Sequence, residues 1–306
     1  MGAIAGKMVF DGAYNQSETK LEDISGGTLD SNIKWLEKPK CKHGNGAYNI
    51  PYVHIKSKKP PKAVIIYSHG NAECLYTPLM LDFIKKISEE LEMDVICWDY
   101  AGYGPHKTSL RSRDNIKKPI YPSEENVHED ISLIIERVIK HTLYPIVLWG
   151  RSLGSAPSIY ASVCYSSRVH CLIVESGFRS CVRVLRPSWL AASIHSVFDM
   201  FDNETEIKKL RNVPVLFVHG VDDTLIPYEH SRMLKKVCPT SAESLWIAGG
   251  THNNVDSRYR HVLLKKVKSF IAQSQSQSQS QSQSQSQSVP EHLRVTSIHQ
   301  KMKKYI

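Results

Sequence analysis

The sequence predicts an α/β fold, a mostly parallel central sheet with helices on both faces and a short cap insertion. Three observations predict it. Short segments that are apolar throughout alternate with segments that are apolar every third or fourth residue. Strands without polar alternation are buried on both faces, which places helices above and below a parallel sheet. A G-x-S-x-G pentapeptide follows one of these strands and opens a helix.

The elements follow in order. AVIIYS (63–68) reads as a buried strand, and Leu79, Phe83, Ile87 and Leu91 then recur as one helical face. A strand is expected over 94–98, a helix over 123–141 and a strand over 145–149, with another helix after Ser152. Strands at 169–174, 214–218 and 244–247 come next, with helices near 228–237 and over 255–271. Two insertions interrupt the pattern. Residues 105–122 form a basic loop, and 178–212 form a longer cap segment carrying Trp189, Leu190, Phe198, Met200 and Phe201. The folded domain is expected to span 1–272. A strict Gln-Ser repeat at 273–288 reads as a flexible linker, since it cannot bury apolar surface, and 289–306 as a basic tail.

Composition bounds the function. Of 306 residues, 41% are hydrophobic and 23% charged, enough for a large core without disulfides or metal. The seven cysteines are scattered and form no C-x-x-C pair, which predicts reduced thiols and a cytoplasmic setting. No run of about 18 apolar residues exists, so no membrane span is expected. The net charge of +9 suits a solvated Lys-rich surface, or attraction to an anionic membrane. No RNA-binding signature, zinc-finger spacing or basic zipper accompanies it, so nucleic acid is not an expected partner. Met1-Gly2 begins a myristoylation pattern, but Gly6 stands where that pattern has Ser or Thr. A single acyl chain would in any case need a second, polybasic signal to hold a membrane.

The chemistry centres on Gly150-Arg151-Ser152-Leu153-Gly154, directly after PIVLW. A strained strand-to-helix turn exposes the serine hydroxyl, and the flanking glycines let strand and helix approach. Serine needs a base, and the base needs an orienting acid. In this arrangement the order along the chain is serine, acid, histidine. His219-Gly220-Val221-Asp222-Asp223 closes the strand VPVLFV and supplies the acid; Asp223 is preferred, with Asp222 as the competing turn residue. His252 follows the last strand after Gly249-Gly250 and is the base. The oxyanion donors are the Leu153 N–H at a helix start and the Asn71 N–H after AVIIYS, with Ala72 the adjacent possibility. Gly102-Tyr103-Gly104 lacks the third glycine of a dinucleotide fingerprint and shapes a loop instead. No metal or cofactor motif is present, and none is expected.

SHGNAE, WDYAGYG, GRSLGS, VHGVDD and LWIAGGTHNN, in this order, resemble the cytosolic serine hydrolases of the α/β-hydrolase fold. The branch most similar is the acyl-protein depalmitoylases, over about residues 53–271. The resemblance implies Ser152, Asp223 and His252 as the catalytic residues, with the Asn71 loop and Leu153 as the oxyanion hole. It also implies an acyl ester or thioester substrate; peripheral association with membranes is an expectation that rests on Gly2 together with the basic loop and the Lys-rich tail. That branch carries an N-terminal cysteine cluster, and this chain has no cysteine before Cys41. Trp189 and Phe198 are candidate acyl-groove residues. The competing expectation is a non-catalytic scaffold of the same fold, binding membrane or a protein partner through its basic surface.

Overall fold

The computed structural model describes residue 10 and residues 33–38, 48–75, 77–104, 120–185 and 199–287. Eight strands form one sheet in the order β1-β2-β4-β3-β5-β6-β7-β8. They are β1 (Ile33–Lys38), β2 (Tyr48–Ile55), β3 (Val64–Ser68), β4 (Asp94–Trp98), β5 (Ile146–Arg151), β6 (Val169–Glu175), β7 (Val215–Gly220) and β8 (Ala242–Ile247). From β4 to β8 every neighbouring pair is parallel. Strands β1 and β2 form an antiparallel edge, with β2 also antiparallel to β4.

The helices among the described residues are α1 (Pro78–Leu91), α2 (Glu124–His141), α3 (Ser155–Cys164), α4 (Cys181–Leu185), α5 (Asn203–Ile207), α6 (Glu229–Val237), α7 (Val255–Arg258) and α8 (Arg260–Gln287). The start of α2 is set by its Ser123 cap, whose hydroxyl accepts the Asn126 N–H at 3.2 Å. The period of two along each strand divides its side chains between two cores. Val64, Ile66, Ile146 and Leu148 face one side, with Ile131, Ile135, Ile159 and Leu234 from α2, α3 and α6. Ile65, Tyr67, Val147 and Trp149 face the other, with Phe83 and Ile87 of α1 and Leu263, Val267 and Phe270 of α8. Burial on both faces is why these strands read as continuous apolar runs.

Three expectations are corrected. Leu79 is not on the buried face of α1 but 83% exposed; Met80 and Leu81 are buried near that end instead. Four-residue steps overshoot the helical turn by about 40° each, so over three steps the outermost member rotates off the face. The helix expected over 255–271 is divided at Tyr259 into α7 and α8. Most unexpectedly, the Gln-Ser repeat is not a separate linker: α8 runs on through it to Gln287. Glutamine is a good helix former, and serine hydroxyls can bond the carbonyl four residues back. Ser274 Oγ does so to Phe270 O at 2.9 Å and is itself buried, and Ser276 Oγ bonds Ala272 O at 3.1 Å. Gln275 Nε2 also donates to Lys62 O at 3.3 Å, tying the first turns of the repeat to the loop before β3. Residues 289–306 lie outside the described residues, as do 105–119 of the basic loop and 186–198 of the cap.

The described parts of the cap are anchored to the body. Phe201 is buried, packing edge-on against Phe10 and His128, and its N–H donates to Glu124 Oε1 at 2.9 Å. The six described cysteines are all free. No helix among the described residues is long and apolar enough to cross a membrane.

Candidate active site

Strands β3, β5, β7 and β8 are parallel members of the run β3-β5-β6-β7-β8, so the loops that leave their carboxyl ends lie at the same end of the sheet. Ser152 follows β5 with φ of +52°, a left-handed conformation that costs a non-glycine residue on the order of 1 kcal/mol or more. The turn is possible only because its flanks carry no side chain. A Cβ on Gly150 would sit 2.2 Å from Gly154 O, and one on Gly154 would sit 2.0 Å from Ser68 O. A 3₁₀ turn (Ser152–Gly154) then leads into α3, and Ser155 Oγ bonds Ser152 O at 2.7 Å to fix the turn.

The loop after β8 carries His252 over the serine. His252 Nε2 lies 3.1 Å from Ser152 Oγ, and Nδ1 lies 2.8 Å from Asp223 Oδ2 in the loop after β7. The two loops are joined directly, with the Asp222 N–H donating to Gly250 O at 2.8 Å. All three side chains are sheltered, with Ser152 7%, Asp223 5% and His252 8% exposed. Burial opposes the charge on Asp223, but bonds from His219 and His252 outweigh it and hold the carboxyl well below the usual range. An ionised carboxylate can only accept, so the proton of the neutral His252 ring sits on Nδ1. Nε2 is left as the acceptor facing the serine hydroxyl. The other Asp223 oxygen, Oδ1, accepts the N–H groups of Leu225 (3.0 Å) and Ile226 (2.9 Å). Asp222 is outside this cluster and its side chain is exposed.

The loop after β3 presents the second pair of donors. Gly70 N–H is taken by Glu73 Oε2 at 2.6 Å. The backbone N–H groups of Asn71 and Ala72 make no hydrogen bond among the described residues, so both stay available to an oxyanion. The tyrosines of the loop after β4 brace this segment: Tyr103 OH donates to Asn71 Oδ1, and Tyr100 OH to His69 O. The Gly102-Tyr103-Gly104 turn thus shapes a loop, with positive φ at both glycines (+82° and +64°). Leu153 follows Ser152 in the 3₁₀ turn (Ser152–Gly154) and is buried beside it. Trp189 and Phe198 fall within 186–198 and lie outside the described residues.

Two residues near the serine have roles that sequence reading did not assign. His219, fully buried, sets its Nε2 2.8 Å from Ile226 O and 3.2 Å from Asp223 Oδ2, with Nδ1 2.7 Å from Ser231 Oγ. With two acceptors before it, Nε2 carries the proton, and the ring becomes a second donor to the acid. Arg151, the last residue of β5, is the other. The available signal was a basic or titratable residue at the end of an otherwise apolar strand, where a charge needs a partner. A cavity of about 260 Å³, lined by residues such as Tyr52, His54, Asp94 and Arg137, opens at the opposite, amino-terminal end of the strands. Ser152, Asp223 and His252 are not among the residues that line it.

The arrangement supplies a hydroxyl, a base in the right tautomer, an acid and free N–H donors, the parts that acyl transfer through serine requires. The chain has the α/β-hydrolase fold, and the comparisons show it to be similar to serine hydrolases. The family model described as serine hydrolase (FSH1) matches residues 152–253, the stretch from Ser152 to just past His252. Among curated proteins, the chain is similar to α/β hydrolase domain-containing protein 17B of Xenopus laevis. The two are 29% identical over 227 residues, 73% of this chain and 71% of that protein. The human 17B protein is 27% identical over the same shares, and the aho-3 protein of Caenorhabditis elegans is 29% identical over 68% of this chain and 57% of its own. Among solved structures, Est1E from Butyrivibrio proteoclasticus superposes with a TM-score of 0.57 at 16% identity, over 79% of this chain and 99% of its own. Mouse α/β hydrolase domain-containing protein 10 gives 0.54 at 17%, over 79% and 98%. At those identities the likeness is one of fold.

Proposed function

We propose that this hydrolase cleaves long-chain acyl esters and thioesters, S-acylated protein among them, through an acyl intermediate on Ser152. The observation that carries the reading is the unbroken relay from Ser152 Oγ to His252 and on to Asp223. His252 Nε2 takes the hydroxyl proton as Oγ attacks the acyl carbon. The tetrahedral oxyanion is met by the N–H groups of Leu153 and of Asn71 or Ala72. The protonated His252 then gives its proton to the departing alcohol or thiol, and water repeats the sequence to release the acid. A thiolate leaves more readily than an alkoxide, so the same machinery serves both bonds. The similarity to the 17B proteins and to the depalmitoylase motifs supports the acyl-protein reading, and the intact relay argues against a vestigial scaffold. The net charge of +9 supports work at an anionic membrane surface, where such substrates lie.

The test is an acyl-length series. Burial of each further CH₂ in a groove contributes about 0.8 kcal/mol, so kcat/KM should rise up to about fourfold per carbon until the groove is filled. Nitrophenyl esters from acetate to palmitate, together with an S-palmitoylated peptide, measure this directly. A profile that peaks at acetate and falls with every added carbon overturns the long-chain reading.

A further inference from the structure

The variable position of the G-x-S-x-G turn is occupied by an arginine that is almost wholly enclosed. Strand β5 is buried along its entire length, so a charge at its last residue has no water to meet and must be held by protein. Arg151 is held on three sides. Nη1 pairs with Glu73 Oε1, from the loop after β3. Nη2 donates to the backbone carbonyl of His252 at 2.8 Å and lies 3.3 Å from Asn253 Oδ1, both in the loop after β8. Nε stands 3.9 Å from Glu175 Oε1 at the end of β6. Glu175 is fully buried, and its other oxygen accepts Trp149 Nε1–H at 2.8 Å.

The second oxygen of Glu73 extends the chain of contacts to the proposed oxyanion loop, where Oε2 accepts the Gly70 N–H at 2.6 Å. One continuous path therefore runs from the Gly70 backbone through Glu73 and Arg151 to the His252 backbone. Its middle residue precedes the nucleophile. We propose that Arg151 is a positioning residue, which fixes the oxyanion loop and the histidine loop relative to Ser152 through Glu73 and the His252 carbonyl. It touches no reacting atom. Its effect is on where His252 Nε2 and the Asn71 and Ala72 N–H groups stand when the acyl carbon arrives. Only a planar guanidinium has donors spread to reach a carboxylate on one side and a carbonyl on another; an ammonium presents one point charge. A shift of about 1 Å in a reacting group can cost about 10² in rate.

The inference rests on Ser152 being the nucleophile, so fluorophosphonate labelling of the wild type at that serine comes first. Given that, Arg151→Lys should remain folded and lower kcat about 10²-fold while KM moves less than about threefold. The second-order labelling rate should fall in parallel. Glu73→Gln keeps one acceptor and loses the other, and it should give the same pattern at about tenfold, from the far end of the path. Glu73 is partly exposed and its loss burdens the fold less. Ile135→Val or Ile135→Ala, whichever matches the fall in Tm of Arg151→Lys, should leave kcat within about twofold, separating position from stability. Wild-type labelling at Ser152 with unchanged kcat in both Arg151→Lys and Glu73→Gln overturns the inference and leaves the proposed function standing. If Arg151→Lys does not fold, unchanged kcat in Glu73→Gln is sufficient to overturn it.

Discussion

Ser152→Ala is expected to lower ester turnover by about 10⁶-fold, the scale seen when the nucleophile is removed from subtilisin. The fold should tolerate it. Among the described residues Ser152 Oγ has one hydrogen-bond contact, to His252 Nε2 at 3.1 Å, and the strained φ of +52° is shared by alanine and serine alike. Loss of that one bond should cost about 1 kcal/mol of stability or less. Steady-state hydrolysis of a nitrophenyl ester and a thermal melt of the same preparation check both halves. Retention of half the activity would remove Ser152 from the mechanism, whatever the melt showed.

Asp223→Asn should lower kcat by about 10⁴-fold, and the geometry dictates how. Oδ1 must remain an acceptor, because Leu225 and Ile226 both aim N–H groups at it. An asparagine therefore places its oxygen there and its NH₂ where Oδ2 stood, facing His252 Nδ1. That NH₂ donates where the carboxylate accepted. The imidazole is driven to the tautomer with its proton on Nε2, and it can no longer take the serine proton. Asp222→Asn should stay near wild type, since that residue is joined to the site by its backbone N–H. Greater damage at 222 than at 223 in parallel assays would assign the acid to the wrong residue. With the Asp223 carboxyl held well below its usual range, it stays charged as pH falls, and its stabilising bonds are lost only below that range. An acid-side decline of activity around neutrality would accordingly come from another group.

Legibility in the sequence followed burial. Strands β3 to β7 are largely apolar because both faces are covered, and these and the half-buried edge strand β8 were each readable within a few residues of their observed bounds. β1 and β2 were not. In IKWLEK the exposed charges Lys34 and Glu37 fall on opposite faces while Lys38 is buried, so no polar alternation marks a strand, and YNIPYVHI is interrupted by Pro51, which cannot donate to a ladder. The Gln-Ser repeat was misread because composition was weighed without what precedes it. Leu263, Leu264, Val267 and Phe270 anchor α8 against the sheet, and a helix already nucleated extends without a new nucleation cost into a segment in which every second residue is the good helix former glutamine. At the site, Ser152, Asp223 and His252 stood out because their chemistry requires those residue types in that order. Arg151 and His219 did not, because motif reading leaves the positions around a nucleophile open. What distinguishes them is burial of a charged or titratable side chain at a strand end, and that becomes visible only when Glu73, the His252 carbonyl and Asp223 are brought beside them.

The most direct test of the whole account is covalent. Wild-type protein incubated with a fluorophosphonate probe, digested and mapped by mass spectrometry should carry the probe on the peptide containing Gly150-Arg151-Ser152, at Ser152 and no other serine. Asp223→Asn should label far more slowly, and Ser152→Ala not at all. A folded wild-type protein that remains unlabelled, or is labelled at another serine while Ser152→Ala still turns over ester, would contradict the assignment of this site as the hydrolytic centre.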